Sequence, residues 1–191
     1  VDPIVTSAQI ITGRQTILSR SVNVTENPAV VTVGAIHGGI RHNIIPEKVE
    51  LIGTIRTFGD EQQALVHRRI NEIATNIAES AGAKAEVNIL KLYPSTVNDE
   101  ALTAKMLPSL HAAAGKENLI LMDPMTGSED FSFFQREKPG VFVFLGGMTP
   151  GADPLKTPSH HTPDFYLDES GFVLGVRALS YLVVDYMGMR K

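Results

Sequence analysis

The sequence contains no cysteine, and none of its hydrophobic runs is long. Without cysteine the chain can form neither a disulfide framework nor a thiolate metal site, and it has no cysteine nucleophile. The longest apolar stretches, such as 141–145 and 172–176, are far shorter than the roughly 20 residues that cross a bilayer. The sequence therefore predicts no membrane-spanning segment.

An excess of basic residues is also missing. The 191 residues include 17 Lys and Arg against 21 Asp and Glu, which gives a formal net charge of −4. This balance, without a run of basic residues, disfavours nucleic acid and anionic lipid as partners. With 43% hydrophobic and 20% charged residues, the composition is typical of a globular protein with one large domain or two small ones.

The chain begins with Val-Asp-Pro-Ile, which lacks an initiator Met, a charged n-region and an apolar h-region. These features predict no signal peptide and are typical of a chain that is entered partway through. Asp2 followed by Pro3 is a helix-start signal, because the carboxylate can cap free N–H groups and proline is tolerated at the first helical position. A helix is therefore predicted over residues 3–19.

The rest of the first half alternates between strand and helix patterns. Strands are predicted over 29–36 and 49–58 from their β-branched or alternating residues, and a third over 85–93. A helix is predicted from Asp60 to Gly82, and its first residues, Asp-Glu-Gln-Gln, resemble a capping box. This order is one strand short of a ferredoxin-like sandwich, and the missing strand would precede Val1.

The second half begins after Pro94-Ser95-Thr96, which marks a boundary between a domain of residues 1–95 and one of residues 96–191. Two short apolar runs, 119–122 and 141–145, resemble buried strands. Helices are predicted over 99–114 with Asn98 as the cap, over a short stretch after Ser128, and over 170–187.

Two adjacent histidines, His160 and His161, lie in a loop bracketed by prolines. Pro163 favours an extended backbone at Thr162, and an extended pair would point its imidazoles to opposite sides. At most one of them would then bind a given metal. A neutral imidazole in a rigid loop is a good zinc ligand, but the alternative is that both histidines only form hydrogen bonds within the loop.

Two further groups of residues are candidates for binding. Gly127, Ser128 and Glu129 stand at a predicted helix start, where free N–H groups favour hydroxyls and carboxylates, so capping is the alternative to a role in a site. Asn43 and Arg56 are the side chains best suited to hold a carboxylate, since one offers an amide donor and the other a planar guanidinium. The alternative for Arg56 is a solvated strand face.

Six short motifs follow one another along the chain: Val1–Ile4, Gly38–Pro46, Gly53–Arg56, Gly127–Phe131, Pro139-Gly140 and His161–Phe165. Their types and order resemble the M20 metallopeptidase family. More narrowly, they resemble its amidohydrolase branch, the hippurate, indole-acetyl-amino-acid and N-acyl-amino-acid hydrolases. The resemblance covers essentially the whole chain.

The resemblance implies an α/β fold with two domains. An α+β, ferredoxin-like lid and dimerisation domain is inserted into a zinc-peptidase-like α/β catalytic domain. Residues 1–95 would be the lid without its first strand, and residues 96–191 the C-terminal part of the catalytic domain. A homodimer through the lid and a cytoplasmic location are expected with it.

The resemblance also implies roles for the candidate residues. The family uses two divalent metal ions, zinc or manganese, and His161 corresponds to the C-terminal metal ligand. Asn43 and Arg56 correspond to groups that hold the substrate carboxylate, often across the dimer interface. The residues that correspond to a segment lining the site are Gly127, Ser128 and Glu129.

The family's other metal ligands and its glutamate base have no counterpart in this sequence. The chain is therefore expected to contain no catalytic residue, to be part of a longer enzyme and to be inactive alone. The parent protein would cleave the amide bond of small N-acyl or N-aroyl amino acids. Alternatives are a dipeptidase or aminoacylase of the same superfamily, or a non-catalytic dimerisation or ligand-binding module.

Overall fold

A computed structural model describes residues 1–188, which fall into two compact units. The first unit contains residues 1–95 and 124–132, and the second contains residues 96–123 and the chain from Phe133 onward. A short segment from the second half of the sequence thus belongs to the first unit. The assignment of residues 1–95 and 96–191 to a lid and a catalytic domain stays a prediction.

The first unit contains two helices and a two-stranded antiparallel sheet. Helix α1 spans Pro3–Thr16 and continues as a π-helical turn at Ile17–Ser21. Strand β1 spans Val30–His37, strand β2 spans Glu50–Arg56 and helix α2 spans Asp60–Ser80. These elements confirm both helices and the first two strands predicted for this half of the chain.

Helix α1 begins as predicted, at Asp2. Its carboxylate oxygen accepts hydrogen bonds from the N–H groups of Ile4 and Val5, at 2.9 and 3.3 Å. Gly13 allows α1 to lie close to α2, because a Cβ at this position would be 2.8 Å from Cδ1 of Ile77. Gly13 would weaken an isolated helix, but here it lies at the contact between α1 and α2.

The core of the first unit lies between the helices and the sheet. Ile17 and Val66 are completely buried, and Ile70 completes the central cluster. Half-buried hydrophobic side chains from both strands and from the segment after α2 pack around this cluster; they are Val22, Val31, Ile55, Ile73, Val87 and Ile89. Burial of this apolar surface is the main favourable contribution to the stability of the unit.

The β1–β2 hairpin is irregular at its centre. The register shifts between Val33 and Ala35, which leaves Gly34 in a β-bulge. On the other strand Gly53 lies opposite Val33, and a Cβ on Gly53 would overlap the carbonyl oxygen of Thr32. The two strands approach so closely here that only glycine fits at position 53.

The third predicted strand, residues 85–93, is wrong as a hydrogen-bonded element. From residue 83 to residue 90 the side chains alternate between half-buried and exposed, as predicted, and Val87 and Ile89 pack against the core. Across residues 1–188, however, β1 and β2 form the sheet, and this segment has no place in it. Alternation requires only one packed face, whereas a strand also requires a neighbouring backbone to pair with.

Helix α2 begins without the predicted capping box. Gly59, with a φ of +80°, precedes the helix, and no side chain caps the first turn. Instead, the Gln62 side chain reaches back: its Oε1 accepts a hydrogen bond from the Phe58 N–H at 2.8 Å, and its Nε2 donates to the Asn27 carbonyl at 2.7 Å. These bonds tie the start of α2 to the turn before β1.

The remaining helices are α3 at Glu100–Ala114, α4 at Phe131–Glu137 and α5 at Phe172–Gly188, with 3₁₀ turns at Lys116–Asn118 and Glu169–Gly171. They confirm the three helices predicted for this half. The cap of α3 is Asp99, which accepts a hydrogen bond from the Leu102 N–H at 2.7 Å. The prediction of Asn98 as the cap is wrong. The Oδ1 of Asn98 instead accepts a hydrogen bond from the Phe142 N–H at 2.7 Å, and its Nδ2 donates one to the Phe142 carbonyl at 2.8 Å.

The predicted buried strands at 119–122 and 141–145 are also wrong. Neither segment has a strand assignment, and most of their side chains are exposed, with Leu121 at 99%. The apolar runs are interpreted as strands from composition alone. Composition does not show which surface would cover them, and among the described residues no such cover exists for Leu121.

Helices α3 and α5 pack together in the second unit. The Ser109 hydroxyl, which is buried, donates a 2.6 Å hydrogen bond to Oδ2 of Asp185. Arg177 donates to the Ala113 carbonyl at 3.4 Å. By length and composition the span Glu169–Gly188 could also cross a membrane. One such helix is weak evidence, since core helices of soluble proteins meet the same criteria.

Candidate functional site

Arg56 lies next to the segment that contains three of the other predicted site residues. It stands at the end of β2 with an exposed side chain, and its Nη1 donates a 2.5 Å hydrogen bond to the carbonyl oxygen of Thr126. Residues 124–132 belong to the same compact unit as β2. The three residues that follow Thr126 directly are Gly127, Ser128 and Glu129.

The hydrogen bond to Thr126 occupies only part of the Arg56 guanidinium. The group has five N–H donors in a planar fork, and the described contact uses the Nη1 nitrogen. The remaining donors can form the paired hydrogen bonds with which arginine recognises a carboxylate. Arg56 is therefore more than a solvated strand residue, since one side of its fork is anchored to a backbone carbonyl.

Ser128 and Glu129 do not cap helix α4 with their side chains. The helix begins at Phe131, and the buried Ser132 donates to the Glu129 carbonyl oxygen from its N–H at 3.2 Å and its hydroxyl at 2.6 Å. Within residues 1–188 no hydrogen bond engages the Ser128 hydroxyl or the Glu129 carboxylate. These two groups follow the carbonyl that Arg56 binds by two and three residues in the sequence.

Asn43 lies at the other end of the hairpin from Arg56. The β ladder pairs Arg56 with Val30, whereas the connection that contains Asn43 leaves β1 after His37, opposite Glu50. The length of β2 between these two ends is about 20 Å. The ladder thus places Arg56 at one end of the hairpin and the connection that contains Asn43 at the other, and both side chains are exposed.

The two histidines lie in the second unit, in a turn rather than in extended chain. His161 has a φ of +65°, and the ring planes of His160 and His161 are 85° apart with centroids separated by 6.4 Å. The expectation of an extended pair is therefore wrong. The turn is closed by hydrogen bonds from the Thr162 hydroxyl to the Ser159 carbonyl, at 2.7 Å, and from the Phe165 N–H to the Thr162 carbonyl, at 3.1 Å.

The surroundings of the two imidazoles differ. The ring of His160 packs edge-to-face against Phe165, with centroids 4.7 Å apart and an interplanar angle of 80°. His161 is exposed, and its left-handed backbone is a conformation that few residues other than glycine adopt. Both histidines are exposed, and the ring of His160 also packs against an aromatic ring.

The loop that follows the histidines ends at Asp168, which is a helix cap. Its Oδ1 accepts a hydrogen bond from the Ser170 N–H at 2.9 Å, and its own N–H donates to the Gly147 carbonyl at 2.8 Å. Hydrogen bonds from the Ser170 side chain and backbone, and then from Thr149, hold the pKa of Asp168 below its usual value. This carboxylate is used to fix the loop at the start of the last helix.

The described residues do not fit a complete two-metal centre. Within residues 1–188, no three His, Asp or Glu side chains lie together in a way that could hold a metal ion. A dinuclear centre needs several protein ligands, and His161 would supply only one of them.

A cavity that the sequence did not predict lies in the first unit, at the start of α2. Its volume is about 410 Å³, and none of the predicted site residues lines it; the lining residues are Val22, Asn23, Glu26, Asn27, Phe58, Gly59, Asp60, Glu61, Gln62 and Leu65. Gly59, whose positive φ opens the chain before the helix, is the one local signal in the sequence that could have indicated an irregular surface here.

Comparison with known proteins gives consistent matches along the chain. The family model described as Peptidase family M20/M25/M40 matches residues 6–185. The IAA-amino acid hydrolase ILR1-like 4 of Arabidopsis thaliana is 31% identical over 191 residues, 98% of this chain and 43% of that protein. The N-acetyl-L-cysteine deacetylase of Bacillus subtilis (strain 168) is 36% identical over 172 residues, 90% of this chain and 39% of that protein.

Solved structures agree with these matches. The crystal structure of a dinuclear metal-binding peptidase of family M20 from Bacillus subtilis is similar to this chain, with a TM-score of 0.73 and 30% sequence identity. The similarity covers 96% of this chain and 46% of that one. This chain thus spans about half the length of the relatives that it matches.

Proposed function

The chain belongs to peptidase family M20/M25/M40, and we propose that the whole protein is a metal-dependent amidohydrolase that cleaves the amide bond of N-acyl or N-aroyl amino acids such as hippurate. The products would be a carboxylic acid and a free amino acid. The family match over residues 6–185 carries this proposal. Relatives named as an IAA-amino acid hydrolase and an N-acetyl-L-cysteine deacetylase support the choice of substrate class.

In this proposal the chain contributes the substrate carboxylate site and one metal ligand. Arg56 would bind the carboxylate beside Ser128 and Glu129, and His161 would bind one of two divalent ions, zinc or manganese. The dinuclear peptidase of the same family supports the number of ions. The general base and the other metal ligands would come from the part of the relatives that this chain does not span.

We further propose that residues 1–95 form a ferredoxin-like lid and residues 96–191 part of an α/β peptidase-like domain. The order α1, β1, β2, α2 and the packing of both helices around one core with the sheet support the lid. A cytoplasmic location belongs to the same proposal, and fractionation of cells that express the full-length protein would test it.

In a homodimer, Asn43 of one subunit would lie near Arg56 of the partner subunit. Because the two side chains stand at opposite ends of one hairpin, a second copy is the simplest source of the other group. Exposed isoleucines in the same connection as Asn43 support an interface there: Ile40 (89% exposed), Ile44 and Ile45. Such side chains are an expected part of the buried core of a protein interface.

Mixing two inactive variants of the full-length enzyme tests this arrangement. Asn43→Ala and Arg56→Gln would each remove one half of every shared site, whereas a mixed dimer would contain one complete site. Activity on hippurate should therefore return when the two variants are unfolded and refolded together. If the mixture is no more active than the separate variants, the two residues do not act across a dimer.

The metal-dependent reaction is tested with the full-length protein, hippurate-type substrates and Mn²⁺ or Zn²⁺. Hydrolysis should stop when the ions are chelated and resume when they are returned. His161→Ala should lower the amount of bound metal, and His160→Ala, the matched control, should lower it less. Hydrolysis that is indifferent to chelation would rule out the proposed mechanism, and the reverse ranking would assign the ligand to His160.

The same full-length protein and variants distinguish two alternative functions. A dipeptidase or aminoacylase would prefer a free or acetylated amino group to a benzoyl group, and the relative named N-acetyl-L-cysteine deacetylase supports this alternative. The other alternative is a non-catalytic dimerisation or ligand-binding module. That module would bind no stoichiometric metal even as the full-length protein.

A further inference from the structure

The segment that contains Gly127, Ser128 and Glu129 forms few hydrogen bonds. Residues 124–128 form no helix or strand, and the Cβ position at Gly127 has no atom within 4 Å. Among the described residues, the hydrogen bond from Arg56 to the Thr126 carbonyl is the only one formed by residues 124–128. The bonds from Ser132 to the Glu129 carbonyl fix only the turn that follows.

We propose that Arg56 is a positioning residue for this segment. Its hydrogen bond fixes Thr126 at the end of β2 and so places Ser128 and Glu129 beside the guanidinium. The role of these residues in binding substrate rests on the proposed function. The ordering of the segment by Arg56 does not, because the contact exists within the chain itself.

The strength of this contact follows from its charge and length. A hydrogen bond from a charged donor is shorter and about twice as strong as one between neutral groups, and the distance here is 2.5 Å. It joins positions separated by 70 residues, so nothing local can replace it. Without it, the segment would regain the backbone freedom that an unpaired loop has.

Two roles of Arg56 have different chemical requirements. A single carbonyl oxygen needs one donor, which the ammonium group of lysine can also provide. A carboxylate that is bound by two parallel hydrogen bonds needs the planar fork, which lysine lacks. Arg56→Lys should therefore preserve the position of the segment and weaken carboxylate binding. Arg56→Gln should impair both, because its amide is uncharged and ends two atoms closer to the backbone than the terminal guanidinium nitrogens.

Backbone ¹⁵N relaxation of the 191-residue chain without substrate tests the positioning role. In the wild type and in Arg56→Lys, the order parameters of Gly127, Ser128 and Glu129 should be those of rigid backbone. In Arg56→Gln they should fall below about 0.6. Cleavage by a glutamate-specific protease after Glu129 should become about tenfold faster, as expected for the loss of one charged hydrogen bond. Cleavage after Glu117 should keep its wild-type rate.

Arg68→Gln is the matched control, because Arg68 lies on the exposed surface of α2 and pairs with Glu72 within the helix. It should leave the segment as ordered as in the wild type. The inference is overturned if Arg56→Gln keeps wild-type order at 127–129, or if Arg56→Lys loses as much order as Arg56→Gln. The KM of full-length Arg56→Lys reports separately on the proposed function: an unchanged KM would remove the carboxylate role and leave the positioning role intact.

Discussion

The hairpin accommodates no side chain at Gly53. The Cβ that any other residue would add overlaps the carbonyl oxygen of Thr32 on the paired strand. Backbone atoms of a ladder cannot move aside as the end of a flexible side chain can. Sequence alternation marked this residue as a strand position, but the close approach is visible only once the partner strand is in place.

Gly53→Ala should lower the free energy of unfolding by about 1 to 3 kcal/mol, the usual cost of inserting a methyl group into filled space. Gly34→Ala is the matched control on the neighbouring strand, since its Cβ would be 3.9 Å from the nearest atom, the carbonyl oxygen of Ile52. Urea unfolding measures both changes. Equal effects of the two substitutions would show that the hairpin relaxes around position 53.

His161 is the one non-glycine residue among residues 1–188 with a positive φ. A Cβ in this conformation costs roughly 1 to 2 kcal/mol. His161→Gly should therefore be more stable than His161→Ala by about 1 kcal/mol, measured by urea unfolding. At His160 the order should reverse, because glycine there only adds freedom to the unfolded chain. If alanine is the more stable substitution at both positions, the left-handed turn is wrong.

At the scale of elements, local patterns predicted helices well and strands less well. The helices α1, α2, α3 and α5 follow from apolar spacing and terminal residues, which lie within a few positions of one another in sequence. The ladder between β1 and β2 joins neighbouring segments and was also predicted. The segment 85–93 failed because its periodicity reports a packed face and says nothing about a hydrogen-bonding neighbour.

In the candidate site, too, features set by residues nearby in sequence were predicted, and features set by distant residues were not. The exposed position of Arg56 on β2 follows from strand alternation. Its partner Thr126 lies 70 residues away, and no local pattern connects the two. Likewise Pro163 suggested extended chain at the histidines, but the turn is set by hydrogen bonds among Ser159, Thr162 and Phe165.

The contact between α2 and the segment after it gives the first unit a pH dependence. Burial, and then the positive charge of Lys91, lower the pKa of His67 on α2 below its usual value. The neutral imidazole is therefore favoured in the folded state. As the pH falls through about 6.5, the unfolded chain takes up a proton that the folded chain resists, so the stability present above this pH is lost.

His67→Gln should therefore reduce the fall in unfolding free energy between pH 7.5 and 5.5. Lys91→Gln should reduce it in part, because the charge is the second cause of the shift. Lys84→Gln, the same change earlier in the same segment, should retain the wild-type slope. Urea unfolding across the pH range measures all four proteins. A slope that is unchanged in His67→Gln would assign the pH dependence to other groups.

At the scale of the whole molecule, many of the exposed hydrophobic side chains among residues 1–188 lie on α5. The side chains that identified this helix in the sequence are mostly exposed, among them Phe172, Val176, Leu179 and Val183. The half-buried positions of α5 include Leu174, Ala178 and Leu182, and hydrogen bonds from Arg177 and to Asp185 join the helix to α3. Apolar spacing predicted the helix but not the face that packs, because nearly every side of this helix is hydrophobic.

Exposed apolar surface of this extent should make the 191-residue chain self-associate. Val176→Lys combined with Val183→Lys, two turns apart on α5, should increase the monomer fraction in sedimentation velocity and lower the binding of a hydrophobic dye. Leu174→Lys, on a half-buried position of the same helix, should instead destabilise the fold. Unchanged sedimentation of the double variant would show that α5 is not the surface responsible.

Because residues 124–132 belong to the first unit, this unit cannot be completed on the ribosome until they have been synthesised. Translation adds about 5 to 20 residues per second, and domains generally fold as they emerge, N-terminus first. Here the β1–β2 hairpin is made before residues 124–132, and Thr126 must leave the exit tunnel before Arg56 can reach it. A nascent chain that is stalled just before this point would contain a paired β1–β2 hairpin, but residues 124–132 would not yet have joined the first unit.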